Sequence, residues 1–269
     1  MKTILRILTF IIKNFKIFRY QFHLFLRRFP ENIALIQHKA EGITFDLDLR
    51  EEVDFLIFTD PNCNAHELAF IREHLSPKGI FLDIGANIGY FSLIVARSFP
   101  DVRVYAFEPD SFSCRKLEKN IINNSISNIS LEKYAISNTK GIVRFCINEK
   151  GNRGGSGIVL KSVPESEKII DVPAIRLIDF CLEKGLDHID CVKLDMEGHE
   201  FIAMNAFFAT APRSLWPKAI VTEEFGDHIQ GSGGSIIQLL ITSGYDLVDH
   251  TAFNFFLVLR NNTEEFPGR

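Results

Sequence analysis

Nowhere does this sequence run for 18 residues without a charge in apolar company, which argues against a membrane-spanning helix. Cysteine is sparse, odd in number and never arranged as C-x-x-C: Cys63, Cys114, Cys146, Cys181 and Cys191 lie far apart. That scatter argues against a zinc ribbon and for reduced thiols in a cytoplasmic setting. No internal repeat and no long low-complexity tract is present. Acidic residues are missing altogether before Glu31, whereas Lys2, Arg6, Lys13, Lys16, Arg19, Arg27 and Arg28 all precede it. Without those seven, 23 of the 30 Lys and Arg face 34 acids, and the rest of the chain carries about −11. So acidic a body is poorly suited to a phosphate backbone, and nucleic acid is not an expected partner.

The acid-free head has a pattern of its own. On a helical wheel Lys2, Arg6, Lys13, Lys16 and Arg27 share one face, with Arg19 at its margin. Leu5, Phe15, Phe18, Phe22, Phe25 and Leu26 share the opposite one. Three readings fit: a helix lying in a membrane interface, a helix packed on the domain or on another subunit, and a cleaved secretory signal. The signal is disfavoured, because Arg6 and Lys13 cut the apolar region short and no small-residue cleavage site follows. Residues 1–40 are therefore expected to form a basic amphipathic helical segment, and residues 41–269 one domain.

With 269 residues, 46% of them hydrophobic, the chain can bury one large core. "GITFDLDL" alternates like an edge strand, and "AHELAFIREHL" has helical spacing. Then the strands "IFLDI", "VRVYAFE", "ISLEKYAI", "CVKLD", "AIVTEE" and "YDLVDH" are separated for the most part by helices, and "FNFFLVL" comes last. The spacing predicts an α/β fold, a doubly wound Rossmann-like sheet, mostly parallel with the last strand antiparallel, and an N-terminal helical extension. "IVRFCINEKGNRGGSGIVL" reads as a strand and a flexible glycine-rich loop inserted into the alternation.

"FLDIGANIGYF" carries the first chemical signal. Its glycines let the backbone approach a ligand, and the following helix offers free N–H groups. The dinucleotide fingerprint is absent, because Asn87 stands between Gly85 and Gly89 where a second glycine is needed. Asp83 just before the loop suits a ligand bearing an ammonium group, directly or through water. Glu108, 25 residues on, ends the neighbouring strand and can accept both hydroxyls of a ribose. Together the acids describe a nucleoside joined to an amino acid without a pyrophosphate, which is S-adenosylmethionine.

"FLDIGANIGYFSL", "VYAFEPD", "LEKNIINN", "AIS", "GGSG", "RLIDF" and "VKLDMEGHE" follow one another in the order and spacing of the FkbM-type methyltransferases, which this chain resembles from about Glu67 to about Glu224. These are class I S-adenosylmethionine-dependent enzymes. The resemblance implies that Asp83, Gly85, Asn87 and Gly89 line the methionine end of the cofactor and that Glu108 holds the ribose. It places Ala135 and Ile136 near the adenine, Glu67 within reach of the methionine end, and Asp195 where cofactor and acceptor meet. The family's usual K-I-D-V-E-G-A-E is departed from at Leu194, Met196 and His199, the last replacing a small residue.

An alcohol acceptor needs a base to take its proton. Asp195, Glu197 and His199 are the catalytic candidates, His199 because an unperturbed imidazole titrates near 6.5. Glu200 can simply begin the next helix, and Glu223 and Glu224 end another strand at the same sheet edge. Asp195, Glu197 and His199 also allow a divalent metal, which adjacent ligand types alone do not establish. Arg153 in "GNRGGSG" can meet an anionic group if that loop closes over the acceptor. The expected function is O-methylation of a hydroxyl on a sugar, glycolipid or related metabolite by a cytoplasmic enzyme, peripheral at the membrane surface if residues 1–30 form the interfacial helix and not the packing one. An NAD-dependent oxidoreductase and a catalytically inactive membrane-associated binding protein of the same fold are the rivals. Oligomeric state is not legible.

Overall fold

The computed structural model describes residues 16–28, 34–60, 62–149, 152–160, 167–224 and 233–260. Lys2, Arg6, Lys13 and Phe15 of the amphipathic head lie outside them. The head's described part, α1 (Lys16–Leu26), ends against the domain: Leu26 is buried, and His23 Nε2 lies 2.9 Å from the Arg50 carbonyl. Next, β1 (Leu35–Ala40) and β2 (Ile43–Asp48) pair antiparallel as a separate two-stranded sheet. Ile43, Phe45 and Leu47 alternate inwards, as a half-buried strand requires. The free edge of β2 stays off the main sheet because side-chain amides satisfy it. Asn124 Oδ1 accepts from Thr44 N and Asn120 Oδ1 from Asp46 N. The helix α2 (Glu52–Thr59) follows, unforeseen in the sequence, and then the expected α3 (Ala65–His74).

The alternating body consists of β3 (Ile80–Ile84), α4 (Tyr90–Ser98), β4 (Arg103–Phe107), α5 (Ser111–Asn123) and β5 (Ile129–Glu132). "ISLEKYAI" is two strands rather than one, since the chain leaves the sheet after β5 and enters β6 (Ala135–Ser137). The inserted segment is more regular than expected. β7 (Gly141–Ile147), β8 (Gly157–Ile158) and a long β9 (Lys168–Arg176) join β6 in a second, four-stranded sheet of order β6-β9-β7-β8. The glycine-rich loop is its β7–β8 connection. The chain then returns through α6 (Leu177–Glu183), β10 (Cys191–Leu194), α7 (Glu200–Phe208), β11 (Ala219–Glu223), α8 (Ile236–Thr242), β12 (Tyr245–His250) and β13 (Asn254–Leu259).

Seven strands form the main sheet in the order β12-β13-β11-β10-β3-β4-β5. All run parallel except β13, which inserts antiparallel between β11 and β12. All five residues of β3 are buried, so the strand reads as a continuous apolar run broken only by Asp83. Leu82 and Ile84 pack with Val192, Leu194 and Ile220 on one face, and Phe81 with Cys191 and Val221 on the other. A buried leucine or isoleucine side chain there contributes about 2 kcal/mol. None of the five cysteines is in a disulfide. No helix among the described residues is long and apolar enough to cross a membrane.

Candidate active site

Strand order reverses at β3, with β4 on one side and β10 on the other, and such a switch point opens a crevice at the carboxyl ends of the strands. A cavity of about 260 Å³ lies there, walled by the loops after β3, β4 and β10, by the end of β11 and by the second sheet. Gly85, Asn87 and Gly89 all have positive φ, at +87°, +50° and +86°. The two glycines answer to packing rather than directly to a ligand. A Cβ at Gly85 would stand 1.9 Å from the Asp195 carbonyl oxygen, and one at Gly89 would stand 2.1 Å from Leu117 Cδ1. Gly85 and Asn87 do line the cavity, whereas Gly89 and Asp83 sit behind its wall. Asp83 is fully buried: Oδ2 accepts from Ser92 N and Oγ at 3.1 and 2.5 Å, and Oδ1 has no partner. Burial pushes its carboxyl above the ordinary range, against the pull of Lys193.

Glu108 is held differently. One carboxylate oxygen accepts from Asn87 N and the other from Asp110 N, both at 2.8 Å. Burial nevertheless pushes it up to about 8. Each oxygen has acceptor capacity left, and Glu108 lines the cavity together with the apolar Phe107, Ala135 and Ile136. On the far side Glu67, in the first turn of α3, is buried with Oε1 accepting from Asn254 Nδ2 at 2.8 Å.

The turn after β10 gathers the remaining acids. Asp195 Oδ2 accepts from Lys193 Nζ at 2.8 Å, and that ammonium also lies 4.9 Å from the Phe91 ring. Burial disfavours the Lys193 charge, yet Asp195, Asp83 and Glu223 hold its pKa above the usual lysine value. Glu197 lines the cavity with φ +54°, an uncommon conformation for a non-glycine residue. Burial, then Asp195, Glu223 and Glu200, raise it to about 8. Glu223 ends β11 in the same wall and is raised to about 7 by burial and by Asp195. Glu200 closes the turn by accepting from Met196 N at 2.6 Å.

His199 does not join this group. It precedes α7 with its ring buried away from the cavity, Nε2 3.0 Å from Ser137 Oγ and Nδ1 unpartnered. Burial lowers its pKa to about 4, so it is a weak base at neutral pH. The positive φ values at Glu197 and Gly198 turn the chain between the two side chains, sending one to the cavity and the other to β6. Among the described residues no three His, Cys, Asp or Glu side chains are grouped to hold a metal ion.

The glycine-rich loop forms the lid. Asn152, Arg153, Gly154, Ser156 and Ile158 line the cavity. Arg153 Nη1 donates to Asp110 Oδ2 at 2.9 Å with its guanidinium 4.4 Å from the Phe112 ring, so it latches the loop to α5 instead of awaiting an anion. Its main-chain N donates to Glu51 at 3.0 Å. Sequence reading missed Asn64 and Asn254, which also line the cavity, and the Val53 and Leu56 side chains of α2. The one available signal for Asn254 is a lone amide at the head of an apolar final strand, opposite the acidic end of β11.

A nucleoside with a cationic amino-acid tail suits these groups. Free acceptor capacity on Glu108 matches a ribose, and the unpartnered Asp83 oxygen and Asp195 beside Lys193 offset positive charge. Relatives with known names agree. The chain is 26% identical to the 31-O-demethyl-FK506 methyltransferase FkbM of Streptomyces tacrolimicus, over 73% of this chain and 83% of that protein. It is 28% identical to methyltransferase sdnD of Sordaria araneosa, over 60% and 71%. Identity to the 2-O-methyltransferase NoeI of Sinorhizobium fredii is 25%, over 46% and 55%. The family model "Methyltransferase FkbM domain" matches residues 83–247, from the acid before the glycine loop to the penultimate strand. The chain belongs to the FkbM methyltransferase family and is an S-adenosylmethionine-dependent methyltransferase.

Proposed function

We propose that the acceptor is a hydroxyl of a sugar, a glycolipid or a related metabolite. The observation that carries this is the pair of cavity carboxylates, Glu197 and Glu223, raised to about 8 and about 7 beside Asp195. A base with such a pKa takes a proton effectively near neutral pH, and methylation of an alcohol, unlike that of an unprotonated amine, needs one. The FkbM and NoeI relatives carry O-methylation in their names, which supports oxygen as the acceptor atom. S-adenosylmethionine, when bound, supplies an electrophilic methyl group on a cationic sulfur. Around it Glu108 accepts the ribose hydroxyls, Ala135 and Ile136 flank the adenine, and Gly85 and Asn87 pass along the methionine with Gly89 setting the loop. Glu67 and, from behind the wall, Asp83 favour its ammonium. Asp195 and Glu197 shape the field at the reacting carbon, and Asp195 fixes Lys193. His199 supports the turn.

The same reading brings the enzyme to a lipid surface. Phe22 on α1 lies 6.3 Å from Phe55 on α2, and Val53 and Leu56 of α2 line the cavity. Phe25, Leu35 and Leu56 are 46%, 47% and 41% exposed, and Leu56 also lines the cavity. The basic, acid-free head in the sequence and these exposed apolar side chains suit an acceptor whose polar group is carried on a lipid. The test is transfer of labelled methyl from S-adenosylmethionine to octyl β-D-glucoside and, in parallel, to octylamine. Label in the glucoside is the expected result, and label confined to the amine would overturn the hydroxyl assignment.

A further inference from the structure

Resting on that hydroxyl reading, we propose that Glu223 is the proton acceptor and that Asn254 beside it binds the acceptor's hydroxyl, which places the acceptor at the β11–β13 edge of the cavity. Antiparallel insertion of β13 sets Glu223 and Asn254 directly opposite each other, so their side chains share a face at the strand ends. Both line the cavity, and so does Glu67. Asn254 Nδ2 donates to Glu67 Oε1 at 2.8 Å, which orients the amide and leaves its carbonyl oxygen to accept from a hydroxyl. Glu67 is thereby shared: one oxygen fixes Asn254, and the other remains for the cofactor's methionine end. Among the described residues the Glu223 carboxylate has no hydrogen-bond partner, unlike Asp195, which Lys193 occupies, and Glu200, which the Met196 N–H occupies.

Charge around Glu223 comes from every side of the pocket. Lys193 faces it from β10, Asp195 and Glu197 from the turn that follows, Glu200 from α7 and Glu67 from α3. The surplus of carboxylates keeps a proton on this group up to near neutrality, and Lys193 limits the effect. In the transfer step the acceptor oxygen forms a bond to the methyl carbon, and the carbon–sulfur pair returns to sulfur to give neutral S-adenosylhomocysteine. The hydroxyl proton passes to the Glu223 carboxylate, which releases it to solvent once product leaves.

The experiment measures labelled methyl transfer to octyl β-D-glucoside between pH 5.5 and 9, with S-adenosylmethionine binding by calorimetry and thermal melting as folding controls. Wild-type kcat is expected to rise through about pH 7 and then level. Glu223→Gln should lose transfer about 100-fold or more and the pH rise with it, while cofactor affinity stays within about threefold. Glu223→Asp should keep the pH rise at a reduced rate. Asn254→Ala should raise KM for the glucoside about tenfold with a smaller change in kcat. Wild-type rates and pH dependence in Glu223→Gln, or an unchanged KM in Asn254→Ala, would overturn the assignment while leaving hydroxyl methylation standing. Label in octylamine alone would remove the hydroxyl reading itself. If neither probe is labelled, glucoside binding to the S-adenosylhomocysteine complex decides, and equal binding by wild type and Asn254→Ala, or none by either, counts against the subsite.

Discussion

The cavity's two ends treat the same chemical group in opposite ways. At the β4 end Glu108 has each oxygen tied to a main-chain N–H, and Asn87 is bent to positive φ to supply one of them. At the β10–β11 end Glu197 and Glu223 are crowded with Asp195 and Glu200, and a single buried lysine lies among them. Burial raises the carboxyls at both ends, Glu108 included, so the difference lies in hydrogen bonding: Glu108 is fixed by two main-chain donors, whereas among the described residues Glu223 has no such partner. Binding needs a group whose position never varies, whereas proton transfer needs a carboxyl left free to take a proton from the acceptor.

Breaking the shared frame tests both ends at once and should have the largest effect. Gly85→Ala sets a Cβ 1.9 Å from the Asp195 carbonyl at a φ of +87°, pushing β10 away from β3. A loss of about 3 kcal/mol or more in chemical denaturation is expected, together with loss of cofactor binding.

Sharpening the contrast at the acidic end takes one substitution and two pH values. The folded pKa of Glu197, about 8, lies above its unfolded value near 4.5, so the folded state holds the extra proton between them. Stability therefore falls as pH rises from about 4.5 to about 8. Glu197→Gln removes that dependence and should stabilise the ligand-free protein by about 1–2 kcal/mol at pH 8.5, with little gain at pH 5, as read by urea denaturation. A cationic ligand restores the charge, so binding of S-adenosylmethionine should release protons at pH 7, measured as a buffer-dependent heat in calorimetry.

A smaller effect is expected at the lid. Arg153→Ala removes the Asp110 ion pair and the contact with Phe112, costing about 1 kcal/mol in cofactor affinity, or roughly fivefold. The smallest is at His199. With a pKa near 4 it does not titrate between pH 5 and 8, so His199→Asn should leave the pH profile of transfer unchanged.

Legibility in the sequence follows the same division. Asp83, Gly85 and Glu108 stand at strand ends that apolar runs announce, and the order of strands and helices locates the crevice between them. What was obscure depended on contacts distant in sequence. Whether His199 or Glu197 faces the cavity turns on two backbone angles, and adjacent letters do not specify them. The crowding at Glu223 comes from β10, α7 and α3, and its pairing with Asn254 exists only because β13 inserts antiparallel. The glycine-rich insert looked flexible because β9, its pairing partner, alternates weakly and contains Pro173, which breaks a strand signal. The sequence also pointed to the right glycines for an incomplete reason, since Gly85 and Gly89 make room for Asp195 and Leu117.

The most direct test of the two-ended site is calorimetric binding of S-adenosylmethionine to wild type, Glu108→Gln and Glu223→Gln at pH 7.5. The account predicts that Glu108→Gln loses about 100-fold in affinity, through two weakened hydrogen bonds to ribose, while Glu223→Gln stays within about threefold of wild type. Equal losses in the two variants, or a larger loss in Glu223→Gln, would contradict the division between a binding end and a proton-transfer end.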